Sequence, residues 1–213
     1  MQGELTERAG EMKDGQQIDL GDLKELTELA CRLGASNAEV ISTSQISIED
    51  DLAEVCKEPG CENYGVSASC PPHVAGPSGF RQLLKNFHKA VVFKIEVPSE
   101  ILLSSGRREV FRALHEIAAS IEHSAVDMGY ENSTAFAGGS CKHLFCQDYT
   151  TCRVVGEGKE CRNPHRARPS MSGFGINVSK LMQEAGWTMS RINQDRSGDE
   201  ISMGTVCGLV LIG

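Results

Sequence analysis

Two short cysteine-rich segments constrain this chain more than any other feature of its sequence. The later segment reads CKHLFCQDYTTCRVVGEGKEC, and its four cysteines are Cys141, Cys146, Cys152 and Cys161. The earlier segment reads CKEPGCENYGVSASCPPH, and its three cysteines are Cys56, Cys61 and Cys70. Because these segments hold seven of the nine cysteines, we expect the fold to present the thiols together as a functional group.

The composition describes an acidic globular protein. Its formal net charge of -8 argues against a nucleic-acid partner. The sequence shows neither an apolar secretory leader nor an apolar run long enough to cross a membrane. We therefore expect a cytoplasmic protein without a membrane partner. A flexible tail is predicted over residues 1–17 and a single domain over residues 18–213.

Metal binding explains the clustered thiols better than disulfides do, because a reducing cytoplasm keeps thiols free. Structural zinc sites favour closely paired thiolates, and no CxxC pair occurs here. The gaps are four, five and eight residues after Cys141, and four and eight after Cys56. These open spacings, with prolines following the last cysteine of each segment, favour one or two 4Fe–4S clusters. A zinc-binding structural or interaction module remains the alternative.

Basic side chains follow the last cysteine of the later segment. Arg162, Arg166 and Arg168 lie within a few residues of Cys161. A cluster held by four thiolates is negatively charged, and nearby cations stabilise it. We predict that these arginines compensate cluster charge or receive an anionic partner.

Helices and strands alternate along the rest of the chain. Apolar runs predict strands over 38–43, 90–97, 133–138 and 204–213. Helical periodicity predicts helices over 22–33, 78–87, 110–128 and 177–185. This order predicts an α/β or α+β layered sandwich, in which a small mixed sheet is covered by helices. The cysteine-rich stretches 56–73 and 138–170 are expected to be loops at the connections between these elements.

The remaining cysteines and several histidines fall in ordinary secondary structure. Cys31 lies in a predicted helix and Cys207 in a predicted strand, so both are expected to be buried packing residues. The histidines expected to occupy unremarkable helix positions are His88, His115 and His123.

The motifs CKEPGCENYGVSASCPP, GGSC and CRNPHRARPSMSGFGINV carry a resemblance. They resemble those of a domain-of-unknown-function family of predicted metal-binding proteins, which occurs mainly in anaerobic bacteria and archaea. The resemblance extends from about Leu20 to the end of the chain. It implies metal bound by the cysteines and a role in anaerobic metabolism, which suits an iron–sulfur cofactor.

Seven thiols leave several ligand arrangements open. The later four cysteines complete one 4Fe–4S site, and the earlier three would hold a second cluster with one iron lacking a protein thiolate. That position could be filled by Cys31, Cys207, His73 or a small molecule. Alternatively, the three earlier cysteines bind no cluster of their own: they merely cover the first site, or they join the other four around a single cluster.

These arrangements predict two kinds of function. A protein with closed clusters would pass electrons to or from a redox partner protein. An open iron would instead act on a small-molecule substrate in reductase-like or desulfidase-like chemistry, with His73 as a candidate for proton transfer.

Overall fold

The computed structural model describes residues 18–188 and 202–213. The strands within these residues are β1 (Asn37–Ser42), β2 (Lys89–Pro98), β3 (Thr134–Phe136) and β4 (Met203–Ile212). The α-helices of the same residues are α1 (Leu20–Arg32), α2 (Asp50–Glu54), α3 (Gly76–Leu84), α4 (Ser99–Leu102), α5 (Arg107–Asp127), α6 (Cys141–Phe145), α7 (Arg153–Glu157) and α8 (Val178–Glu184). The tail predicted over residues 1–17 lies outside the described residues.

The four strands form one sheet in the order β1-β2-β4-β3. Every pairing between neighbouring strands is antiparallel. The prediction of a mixed sheet is therefore wrong. Alternation of helices and strands predicts the layers correctly. It does not fix strand direction, because each connection can return the chain to either end of the sheet.

Both faces of the sheet are covered. Helices α1 and α5 pack on one face, around Leu26, Phe93 and Leu114. Helices α3 and α8 pack on the other face, together with a 3-10 turn over Met171–Phe174. Neighbouring residues of β2 alternate between the faces, since Val92 belongs to the second core and Phe93 to the first. The layered α/β architecture is therefore confirmed.

Local sequence explains where the helices begin. The Asp19 side chain accepts hydrogen bonds from the N–H groups of Gly21 and Asp22 at the start of α1. Asn177 caps α8 in the same way through the N–H of Lys180.

The prediction that Cys31 is buried is wrong. Helix α1 buries Leu23, Leu26 and Ala30, whereas Cys31 is exposed. Successive helix positions are rotated by about 100°. The residue directly after Ala30 is therefore turned away from the core.

The cysteine-rich stretches contain short helices rather than only loops. Cys141 begins α6, and Cys152 is the residue immediately before α7. A helical turn over Cys56–Gly60 begins with the first cysteine of the earlier stretch. In the following sections we call 56–73 the first cysteine segment and 138–170 the second cysteine segment.

Beside these segments, β4 extends past the end of its neighbour β3. Strand β3 pairs with Leu209 to Leu211 of β4, and this pairing finishes at Phe136 and Leu209. The chain then leaves the sheet through Gly138 and Gly139 toward the second cysteine segment. Gly139 has a φ of +73°, and a Cβ there would lie 3.1 Å from the Phe111 ring. Both facts favour glycine at this turn.

Candidate metal centre

The four cysteines of the second segment line one small cavity. Its volume is about 20 Å³, which is close to the space needed by a single water molecule. Ser67 of the first segment lines the same cavity. Among residues 18–188 and 202–213, no group of three His, Cys, Asp or Glu side chains is arranged to hold one metal ion. The thiols are instead distributed around the cavity wall.

Asn163 donates hydrogen bonds to two of the four sulfurs. Its side-chain Nδ2 lies 3.2 Å from Cys146 Sγ, and its backbone N lies 3.3 Å from Cys161 Sγ. One residue of the CRNP motif therefore orients two candidate ligands. Donors placed on sulfur stabilise the thiolate form that binds metal.

The other two sulfurs lie among polar groups of both segments. The hydroxyls of Ser67 and Ser69 lie near the sulfur of Cys141. The backbone N–H groups of Ala68, Val154 and Val155 lie near the sulfur of Cys152. Ala68 and the two serines belong to the first segment, so this segment places polar groups beside the cysteines of the second.

The thiol pKa values reflect these surroundings. Burial raises the pKa of Cys141 to about 11, although its two serine hydroxyls act in the opposite direction. Burial also acts to raise the pKa of Cys152, but the three backbone N–H groups and the charge of Arg162 outweigh it and lower the value. Because its pKa is lower, Cys152 loses its proton more easily than Cys141 does. This matters because a thiol must be deprotonated to bind metal.

A buried lysine lies against the same cavity. Lys142 is only 7% exposed, and its Nζ donates to the carbonyls of Cys146 and Tyr149 at 2.8 and 2.5 Å. Among the described residues no carboxylate lies within ion-pair distance of this ammonium group. A buried cation of this kind is costly without a counter-charge, and thiolates around the cavity would supply one.

The three cysteines of the first segment line a different and larger cavity of about 350 Å³. It lies beside the part of β4 that extends past its pairing with β3, where Thr205, Val206 and Cys207 form a wall. Burial raises the pKa of Cys56, and the neighbouring Cys61 and Cys70 add to this rise. The structure therefore brings these three thiols together.

Cys207 shares the cavity of the first segment. It is buried, as predicted, and burial raises the pKa of its thiol to about 12. Of the candidates for a fourth ligand, it is the one that lines this cavity. His73 is exposed, and its Nε2 lies 3.3 Å from the carbonyl of Gly65. Cys31 lies on α1 outside this cavity, in a surface pocket with Arg32 and Ala38.

A network of buried hydroxyl groups joins the two cysteine sets. Ser67 Oγ lies 2.9 Å from Ser69 Oγ and 3.2 Å from Ser140 Oγ. Ser69 Oγ lies 3.8 Å from the sulfur of Cys70 and also lies near the sulfur of Cys141. Two cysteines distant in sequence therefore share one serine as a neighbour.

The three arginines predicted to meet an anion each contact a carboxylate. Arg162 pairs with Glu157 at 3.2 Å, and Arg166 pairs with Glu116 at 3.4 Å. Arg168 is buried and pairs with Glu122. An anionic partner would have to compete with these glutamates, so the binding role of the arginines stays a prediction.

His115 connects the two ends of the second cysteine segment. Its side chain is fully buried on α5, and Nδ1 accepts the backbone N–H of Arg168 at 3.0 Å. The proton therefore sits on Nε2, which donates to the carbonyl of Gly138 at 3.0 Å. Burial, aided by the charge of Arg168, lowers the pKa of His115 to about 4 despite the bond to Gly138.

This histidine is expected to make folding stability fall in mild acid. Its folded pKa is below the ordinary 6.5, so its contribution is complete above pH 6.5 and is lost as pH falls toward 4. Between pH 7 and pH 5 the free energy of unfolding should drop by roughly 2 kcal/mol more than in His115→Gln. Glutamine keeps an N–H donor but does not titrate in this range. Urea unfolding of both metal-free proteins measures the difference, and parallel pH profiles would contradict it.

Comparison with known families agrees with a metal centre. The model of a family described as predicted metal-binding proteins (DUF2284) matches residues 39–212. The chain belongs to this family. The region that matches the DUF2284 model includes both cysteine segments and Cys207, whereas Cys31 precedes it. No curated protein and no solved structure is significantly similar to the chain.

No helix among the described residues has the length and apolar character that a membrane crossing requires. His88 follows α3 rather than lying within a helix as predicted.

Sequence reasoning missed several residues of the centre. Asn163 lies two residues after Cys161, and this short distance in sequence is a signal that could have singled it out. Ser69 likewise lies next to Cys70, but the approach of Ser67 and Ser69 to the second segment depends on the fold and has no signal in the sequence.

Proposed function

We propose that this protein binds 4Fe–4S clusters and acts in electron transfer or in reductive or sulfur chemistry. The observation that carries the proposal is the pair of hydrogen bonds from Asn163 to the sulfurs of Cys146 and Cys161, beside the buried ammonium group of Lys142. Donors on sulfur and a nearby cation stabilise the negative charge of a thiolate-held cluster and raise its reduction potential. The donor set therefore fits such a group.

The chain's own residues define what the second segment does in this function. Cys141, Cys146, Cys152 and Cys161 would be the ligands, Asn163 orients two of them, and His115 fixes both ends of the segment. A cluster bound there would accept and release single electrons.

A zinc ion is the rival occupant, and the small volume of the cavity is the observation that favours it. Tetrahedral zinc needs four thiolates around a single point, whereas a cluster needs the wall of the cavity to open outward. The residues between Cys146 and Cys161 are mainly exposed and belong to neither core, so a wider wall here would leave the packing of the sheet unchanged. The wide cysteine spacing supports the cluster.

The first segment supports a second candidate function, an enzyme with an open metal position. Cys56, Cys61 and Cys70 provide three thiolates at a cavity large enough for a small molecule. A site with an unfilled coordination position is typical of catalytic rather than structural metal centres. Cys207 lies in the same wall but is a neutral, buried thiol, so it competes weakly for that position.

The test is metal analysis of protein purified without oxygen. We expect a brown protein with about eight irons and about as many acid-labile sulfides per chain, because two cubanes contain eight irons. Iron and sulfide assays with absorption spectra measure this directly.

Two other results would change the assignment. One equivalent of zinc with no iron would refute the cluster proposal. About four irons would support a single cluster, and would leave the first segment without one.

A further inference from the structure

We propose that a pocket adjoining the three-cysteine cavity binds the carboxylate of a small organic acid through Arg107 and Arg108. This inference deepens the second candidate function, because it names the class of molecule that would reach the first segment. The bound acid would place its carboxylate in the pocket and its other end at the three cysteines. The arginine pocket itself is a property of the protein alone and can be tested without any cluster.

The two cavities share part of their walls. The adjoining pocket has a volume of about 350 Å³, and its polar wall comes from Ser104, Ser105, Arg107, Arg108 and His143. The residues that line both cavities are Asn63, Arg107, Phe111 and Gly139. The arginine pocket and the cavity of Cys56, Cys61 and Cys70 are therefore immediate neighbours, with Asn63 in the wall of both.

The two arginines differ from most of the arginines that lie within the described residues. Arg81, Arg162 and Arg168 are each held by a carboxylate. In the described part of the chain, neither Arg107 nor Arg108 has a carboxylate within ion-pair distance. Two guanidinium groups side by side repel one another, so an anion that joins them is favoured.

Two buried polar atoms in these walls have no hydrogen-bond partner within the described residues. One is Nε of Arg108, a donor, and the other is Oδ1 of Asn63, an acceptor. Buried polar atoms are usually paired, and unpaired ones are costly. A ligand that accepts from Arg108 and donates to Asn63 would satisfy both, which describes an organic acid that also carries an N–H, O–H or S–H group.

The local charge also favours an anion. Glu62 is the acidic residue in the wall of the arginine pocket, and it is exposed. The wall of the three-cysteine cavity contains Arg107 and no acidic residue among those described. The guanidinium of Arg107 lies over the ring of Phe111 at 5.2 Å, which holds the group in position without neutralising it.

The chemistry of guanidinium selects the ligand class. Its planar fork of N–H groups matches the two oxygens of a carboxylate, and such pairs are stronger than neutral hydrogen bonds. A binding site with polar groups at one end and a reactive group at the other fixes the orientation of its ligand. The three cysteines mark the reactive end here.

The test compares two thiols that differ at one end. Calorimetric titration of the anaerobic protein should show that 3-mercaptopropionate binds about tenfold or more tightly than 2-mercaptoethanol, since a charge-assisted bond is worth about one or two powers of ten in affinity. Arg107→Gln and Arg108→Gln should each remove most of this preference. Arg32→Gln is the matched control, because Arg32 is an exposed arginine on α1 outside both cavities.

The outcomes separate this inference from the proposed function. Equal affinities for the two thiols in the wild-type protein, or an unchanged preference in both pocket variants, would overturn the carboxylate site. A carboxylate preference with a shift in the magnetic spectrum of the cluster supports the site and the open iron together. The same preference without a spectral shift supports the carboxylate site and counts against the open iron alone.

Discussion

Replacing Cys152 with serine is expected to remove about half of the iron and sulfide from the anaerobic protein, because one of two cubanes loses a ligand. Burial acts to raise the pKa of the Cys152 thiol, but the nearby N–H groups of Val155, Ala68 and Val154 outweigh it and lower this pKa. A serine hydroxyl is far less acidic than this thiol and a poorer ligand for iron. The same loss is expected for serine at Cys141, Cys146 or Cys161, and iron analysis measures it.

The matched control is Cys31→Ser. Cys31 is exposed on α1 and lies outside the region that matches the family model, so its replacement should leave the metal content unchanged. Unchanged iron in all four variants of the second segment would remove the proposed site. Complete loss of iron in Cys152→Ser would instead indicate one cluster shared by both segments.

Lys142→Met is expected to lower the reduction potential of the second-segment cluster on the order of tens of millivolts, because a positive charge is lost beside it. Adding an electron makes a thiolate-held cluster more negative, so a nearby cation favours the reduced form. The variant also leaves the carbonyls of Cys146 and Tyr149 without their donor, which should speed iron loss to a chelator. Redox titration followed by magnetic resonance measures the potential.

The control for this change is Lys24→Met, which removes the same charge from an exposed lysine on α1. Its potential should match the wild type, because surface charges are strongly screened by solvent and salt. Equal potentials for Lys142→Met and the wild type would show that the buried ammonium group does not act on the cluster.

The fold was largely predictable because its elements have strong local signals. The apolar runs of β2 and β4 and the long periodic pattern of α5 are each readable within one segment. Strand direction could not be predicted from the sequence, since it depends on which end of the sheet each connection reaches. Burial of Cys31 was mispredicted because one position beyond Ala30 already lies off the apolar face.

The candidate centre was predictable only in its cysteines. His115 sits at an ordinary position in the helical pattern, and its two partners, Gly138 and Arg168, lie 23 and 53 residues away. Ser67 likewise meets Ser140 across 73 residues. Contacts over such separations arise from the sheet that brings both segments to one side. No sequence pattern within either segment predicts these contacts.

The position of β4 has a consequence for biosynthesis. This strand lies between β2 and β3 in the sheet, although it follows both in the chain. On the ribosome, all seven thiols of the two segments therefore emerge before the strand that completes their support. The wall formed by Thr205, Val206 and Cys207 is synthesised after these thiols, so the three-cysteine cavity is incomplete until β4 has paired with β2. Any metal held in this cavity would therefore be enclosed only after β4 has left the ribosome.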